Sequence, residues 1–253
     1  MNLETVTGMV LSAMPIGEYD KRLVILTKEF GRISAFAKGA RKPNSVLLAP
    51  SQPFAFGVFT LYQGRSSYTV NSADIQNYFE ELRTDLEKIA YGMYFCEVAA
   101  HLTYENVEAA GILKLLYQSL RALNKEKLPK EMVRSIFEIK VLDFNGETPR
   151  VFECVKCRKK PTAESRKFYA GFSSKAGGMV CSCCREGVPD ILKISETTIY
   201  TLQYIISSKV EKLFTFLLKK PYDLELKQVA AQYMEYYTDG NFQSLEMLKD
   251  CLQ

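Results

Sequence analysis

The chain has 253 residues, 47% of them hydrophobic and 25% charged, with a formal net charge of +4. That much apolar material over that length excludes general disorder and fits one large domain or two small ones. Its longest apolar runs, 54–62 and 214–218, fall well short of the roughly 18–20 residues that cross a bilayer, so no transmembrane helix is expected. The N-terminus has neither the basic region nor the apolar stretch of a secretory signal. The chain is expected to stay in the cytoplasm.

Residues 1–78 read as β structure. Segments 5–14, 22–27, 32–38, 54–62 and 68–75 are rich in β-branched, aromatic and aliphatic residues, and turn residues separate them: Pro15-Ile16-Gly17, Phe30-Gly31, Pro43-Asn44-Ser45 and Gln63-Gly64-Arg65. Five short strands in so few residues fit a small closed barrel, because an open sheet would leave long edges unpaired. A five-stranded oligonucleotide-binding (OB) barrel is the first expectation and an SH3-like barrel the second. From 81 onward the hydrophobic period lengthens toward 3.6. Stripes run through Leu86, Ile89, Ala90, Met93 and Cys96, through Ile112, Leu115, Leu116, Leu120 and Leu123, and through Val133, Ile136, Phe137, Val141 and Phe144. Beyond the cysteines a fourth stripe takes in Ile199, Leu202, Ile206, Val210, Leu213 and Leu217, and a fifth takes in Leu226, Val229, Ala230, Tyr233 and Tyr237. Pro221 and Asp239-Gly240-Asn241 read as helix stops. The fold class expected is α+β: an OB barrel over 1–80, a helical domain over 81–149 and 189–253, and a four-cysteine insertion over 150–188.

Of seven cysteines, five lie between 154 and 184. In a reducing compartment such clustering points to a metal rather than to disulfides. Cys154-Val155-Lys156-Cys157 and, 23 residues later, Cys181-Ser182-Cys183-Cys184 form two CxxC knuckles around a hairpin of the zinc-ribbon kind that includes Phe168, Tyr169, Phe172 and Gly177-Gly178. Four thiolates complete the tetrahedral shell of zinc and leave no open position, so one structural Zn2+ is expected on Cys154, Cys157, Cys181 and Cys184. Cys183 leaves open which thiols of the second knuckle bind, and an iron–sulfur cluster or unmetallated cysteines are the alternatives.

Charge is unevenly spread. Residues 21–42 hold seven basic side chains against one acid, and 150–185 hold nine against two, the pattern of a surface that meets phosphates. On a strand, Arg32, Ser34, Phe36 and Lys38 share one face and Ile33, Ala35 and Ala37 the other. Cations beside an aromatic ring suit single-stranded nucleic acid, the charges following the backbone and the ring stacking on a base. Gly39 permits a sharp exit, after which Arg41 and Lys42 are expected in a mobile basic loop. No phosphate loop, dinucleotide fingerprint, zinc-protease or nucleophile-elbow motif occurs, and His101 is the lone histidine, so an enzyme is disfavoured.

The motifs Gly17-Glu18-Tyr19-Asp20-Lys21-Arg22-Leu23-Val24, Gly31-Arg32-Ile33-Ser34 and Lys38-Gly39-Ala40-Arg41-Lys42-Pro43, followed by the paired CxxC, resemble the bacterial RecO recombination-mediator family over nearly the full length. The resemblance implies a non-enzymatic DNA repair protein with an N-terminal OB fold. It would bind single- and double-stranded DNA, anneal complementary strands, and work with RecR to load RecA recombinase onto DNA coated with single-strand-binding protein. It assigns DNA contact to Lys21, Arg22, Arg32, Lys38, Arg41 and Lys42, to which the strand-face reading adds Phe36 as the stacking ring, and zinc to Cys154, Cys157, Cys181 and Cys184. Members also dock the acidic C-terminal tail of single-strand-binding protein on the helical domain, for which Arg121 or Arg134 are the candidate cations. The extra Cys183 departs from the family's pattern. The alternative reading is an RNA-associated OB and zinc-ribbon adaptor in transcription or at the ribosome, and a third is an enzyme with an acidic site assembled from distant segments.

Overall fold

The computed structural model describes residues 2–65, 67–161, 169–239 and 241–251. Phe168, expected in the cysteine hairpin, and Gly240, expected in a helix stop, lie outside them. The chain divides into two compact units, Met1–Asn124 with Phe242–Gln253, and Lys125–Asn241.

The first unit is built on a closed barrel of β1 (Leu3–Ile16), β2 (Asp20–Thr27), β3 (Gly31–Ala37), β4 (Phe56–Gln63) and β5 (Tyr68–Asn77), in the order β1-β2-β3-β5-β4. The five strands expected from the sequence are all present. β1 serves twice: its first half pairs with β4, its second half with β2, and a bulge between Val10 and Ser12 turns the corner. Closure is completed by a parallel pairing of β3 with β5, registered at Ala35–Tyr68 and Phe36–Thr69. The interior follows from period-two alternation. Val6, Val10, Leu23, Ile25, Ile33, Phe59 and Leu61 point inward and are buried, and Leu47, from the β3–β4 connection, plugs the same core.

Two helices follow, α1 (Leu86–His101) and α2 (Ala110–Leu123). Asp85 caps α1 by accepting a hydrogen bond from the Lys88 N–H at 3.2 Å. The 104–109 loop between the helices is laced to the β2–β3 turn: Asn106 N–H donates to the Phe30 carbonyl (2.9 Å) and Arg32 N–H to that of Tyr104 (3.2 Å). The C-terminal helix α6 (Gln243–Cys251) belongs to this unit. The Glu97 carboxylate on α1 accepts from the N–H groups of Gln243 and Ser244, satisfying donors that a helix start leaves free.

In the second unit α3 (Lys130–Phe144) is central, buried along most of its length and packed on α4 (Glu196–Ser207) and α5 (Tyr222–Tyr237). Its two buried charges are paired: Glu138 with Arg134 at 2.7 Å, and Lys140 with Asp143 at 2.9 Å and the Ile206 carbonyl at 2.7 Å. Two expectations need correction here. The fourth stripe is not one helix: α4 ends at Ser207, Ser208 and Lys209 are extended, and Val210 lies in a short 3-10 turn. Pro221 does not stop a helix either; it stands at the start of α5, where a missing N–H costs nothing. A hairpin of β6 (Tyr169–Ser173) and β7 (Gly178–Cys181) completes the unit, with the Phe172 ring edge-on to Tyr233 at 5.6 Å.

Candidate nucleic-acid face and metal centre

On β3 the expected alternation holds residue by residue. Arg32, Ser34 and Phe36 are partly exposed, while Ile33, Ala35 and Ala37 are at most 1% exposed. β2 lies beside it in register, Arg22 opposite Phe36 and Leu26 opposite Arg32, and Arg22 Nε donates to Ser34 Oγ at 3.0 Å. Arg22, Arg32 and Phe36 therefore share one outer surface. Lys21 does not. It has the parity of Leu23 and Ile25, and its ammonium donates to the Ser51 carbonyl at 3.2 Å. Burial first, and then the charge of Arg41, holds its pKa below the ordinary lysine value.

Lys38, Arg41 and Lys42 are exposed just past the end of β3. Their segment is pinned, not the free loop expected from the sequence. Gly39, at a φ of +65° that favours glycine, donates its N–H to the Asp20 carboxylate at 2.7 Å. Arg41 donates its backbone N–H to the Tyr19 carbonyl (2.9 Å) and Nη1 to the Gly17 carbonyl (3.0 Å), and Lys42 Nζ sits 5.4 Å from the Tyr19 ring centroid. Successive turns from Ala37 to Ser51 continue the segment. Arg41 and Lys42 are thus fixed to the β1–β2 hairpin, and beside them lies a shallow cavity of about 410 Å3 lined by Lys38, Gly39, Lys42, Asn44, Ser45 and Val46. Tyr19 and Asp20, which do this fixing, belong to the sequence motif but carry no role that the sequence makes legible; only the fold shows what they hold.

The four-cysteine cluster is in the second unit. The first knuckle is a tight turn in which Cys154 N–H donates to the Lys159 carbonyl (3.0 Å) and Arg158 N–H returns to the Cys154 carbonyl (2.9 Å). It is stitched to β7 through Val155 N–H and the Met179 carbonyl (2.9 Å). Gly178 allows this approach, since a Cβ there would lie 2.3 Å from the Arg150 carbonyl oxygen. The second knuckle is the end of β7 with the 3-10 turn Ser182–Cys184.

These turns bring the sulfurs of Cys154, Cys157, Cys181 and Cys184 within 4.8 Å of one another, a group that could hold a metal ion. Cys157 and Cys181 are 3.7 Å apart, close to the ~3.8 Å between thiolates around a tetrahedral ion with metal–sulfur bonds of about 2.3 Å. Cys183 is exposed and outside the group. Burial alone would raise the Cys154 thiol, but the N–H groups of Cys157, Cys181 and Lys156 outweigh it and bring the pKa down to about 6. Cys181 is pushed up to about 12, by burial first and then by hydrogen bonding to Cys154, Cys184 and Cys157. Ionising all four thiols together requires a cation.

The remaining expected residues are dispersed. Arg121 is exposed in the last turn of α2 in the first unit, whereas Arg134 belongs to the second and is held by buried Glu138. His101 ends α1, exposed, with Phe242 edge-on at 5.5 Å. No helix among the described residues is long and apolar enough to cross a membrane.

A cation-bearing barrel followed by helices and a four-thiol hairpin is the make-up of a nucleic-acid-binding protein, and both matching family models narrow that class to recombination proteins. "Recombination protein O N terminal" matches residues 1–79 and "Recombination protein O C terminal" matches 83–246, so the chain belongs to the RecO family, whose members are non-enzymatic recombination mediators. It is 36% identical over 250 residues to the DNA repair protein RecO of Acetivibrio thermocellus, covering 98% of this chain and 97% of that one. Against the RecO of Alkaliphilus metalliredigens it is 34% identical over 243 residues, covering 96% and 97%. Against that of Clostridium perfringens it is 29% identical over 242 residues, covering 96% of each.

Proposed function

We propose that this protein binds single- and double-stranded DNA through its barrel, promotes annealing of complementary strands, and helps load RecA recombinase onto DNA coated with single-strand-binding protein. The observation that carries this reading is the outer surface of Arg22, Arg32 and Phe36 continued by exposed Lys38 and the pinned cations Arg41 and Lys42. Fixed cations capture phosphates without reading bases, so affinity should be sequence-tolerant and steeply salt-dependent. In this reading 1–80 is the OB nucleic-acid-binding domain, 81–149 and 189–253 are the helical frame, and 150–188 is a metal-bearing insertion. The ion is Zn2+ on Cys154, Cys157, Cys181 and Cys184; bound there, it supplies cross-linking of two turns and no reactive position. RecR and the tail of single-strand-binding protein are the protein partners. Arg121 is the stronger candidate for that tail, because Arg134 is engaged by Glu138. The setting is the bacterial cytoplasm, at the nucleoid.

The test is the annealing rate of fluorescent complementary strands pre-coated with single-strand-binding protein, with and without this chain, at two salt concentrations. Salt-sensitive acceleration is expected. Replacing Arg41 and Lys42 together by Ala should lower DNA affinity and flatten the slope of log K against log salt, by about 0.7–0.9 for each phosphate that is no longer neutralised. An unchanged slope removes that patch from the site. Absence of acceleration, with RNA bound more tightly than DNA, moves the assignment to an RNA adaptor.

A further inference from the structure

The outer surface of the barrel carries a lateral file that its cations do not explain. Following the register across the strands, Met14 of β1 stands opposite Arg22 of β2, Arg22 opposite Phe36 of β3, Phe36 beside Thr69 of β5, and Thr69 opposite Tyr62 of β4. All five strands contribute one side chain, and none of the five is an acid. Met14 is 64% exposed and Tyr62 39%, whereas their inward-facing neighbours Ala35, Ala37 and Leu61 are 0% exposed.

Large apolar side chains on the outside of a small barrel are ordinarily covered, and elsewhere on this barrel they are. Met9 and Leu26 also face outward, opposite each other on β1 and β2, and both are 0% exposed where α1 and α2 pack against those strands. Among the described residues, the file from Met14 to Tyr62 has no such cover. Its three apolar members occupy alternate strands, which spaces them about 10 Å apart at the usual strand separation. Arg22 stands between the first two.

We infer that this file is a stacking platform for unpaired bases, with Tyr62 and Met14 as contacts beside Phe36, and that it makes the barrel bind single strands more tightly than duplex. The inference rests on the DNA-binding reading above and adds the form of nucleic acid the site prefers. A single strand offers base faces to flat or polarisable side chains while its phosphates meet the guanidinium; a duplex has its base faces hidden and offers phosphates alone. Because only a few bases seat on the file, flanking bases stay free to pair, and capture of one strand is compatible with its annealing.

The chain contains no tryptophan, so Tyr62→Trp introduces a single indole fluorophore. Its emission should be quenched to saturation by oligo-dT and unaffected by a duplex of equal length. Tyr62→Ala should weaken oligo-dT binding about tenfold, leaving duplex affinity and the salt slope unchanged, and Tyr62→Phe should restore binding. Equal losses for single strand and duplex, or no loss for either, overturn the platform, as does an indole indifferent to oligo-dT that anisotropy shows to be bound. Failure of the parent reading looks different: the unsubstituted protein would bind neither form.

Discussion

The barrel closes on Val10, Ile25, Phe59, Leu61 and their neighbours, so its order is spread over many buried side chains from all five strands. The cysteine hairpin buries Phe172, Met179 and Val180 at one end, but its knuckle end is Lys156, Cys157, Arg158, Lys159, Lys160 and Arg185, all exposed. Within the two knuckles the apolar side chain besides the cysteines is Val155, half-buried; four sulfurs and an ion could tie the two turns together. Distributed and concentrated stabilisation respond differently to damage. The barrel should weaken by degrees, while the hairpin should lose its knuckles in one step.

The largest effect is therefore expected at Cys154. Cys154→Ser, or a strong chelator, should abolish stoichiometric metal and release the segment from 150 to 192, because metal affinity at such a site is folding free energy, about 10–16 kcal/mol in zinc-finger peptides. Metal analysis and amide exchange check this, and exchange in the barrel should stay near its original rate. A protein purified without chelator and found free of metal removes the contrast. Phe59→Ala, by comparison, should cost about 3–5 kcal/mol in denaturant unfolding, with the metal-to-protein ratio of the folded fraction unchanged.

The smallest effect concerns how the frame around the hairpin is held. Glu225 accepts hydrogen bonds from Ser195 N–H (2.7 Å), Ser195 Oγ (2.8 Å) and Thr198 Oγ1 (2.5 Å) at the start of α4. Burial works to raise its pKa, and these donors outweigh it, so the folded value lies below the ordinary one. A depressed carboxylate contributes stability that is complete above its unfolded pKa and is lost as pH falls through the folded value. Glu225→Gln should cost about 1–2 kcal/mol near neutrality and flatten the acid limb of a thermal stability profile; an unaltered acid limb would show that other carboxylates govern it.

Where one side chain in two is buried, the sequence is readable: the inward and outward parities of β3 can be assigned from 32–38 alone. The metal group is readable too, because CxxC spacing is a local geometric constraint. What fails is continuity. Val210 and Leu213 are buried and keep the helical period of α4, yet Ser208 and Lys209, between α4 and Val210, are extended, so periodicity reports burial and not an unbroken backbone. α6 escapes the sequence reading for a related reason. Its start is satisfied by Glu97, about 150 residues upstream, a partner that the local sequence does not reveal. Tyr62 and Met14 have the right parity, but their alignment with Phe36 depends on cross-strand register, which one strand's sequence does not carry.

The barrel's closure gives that alignment a dynamic side. Antiparallel pairs β1–β2, β2–β3 and β4–β5 run in long registers, whereas β3 and β5 meet, among the described residues, at Ala35–Tyr68 and Phe36–Thr69 alone. This short parallel seam has the fewest hydrogen bonds to break, so the barrel should open there first, and amides along it should exchange faster than those of the β2–β3 ladder. The seam also divides Phe36 from Thr69 and Tyr62. A DNA strand seated across all three would act as a staple over the weakest joint, and protection gained at 35–36 and 68–69 on binding would mark its path.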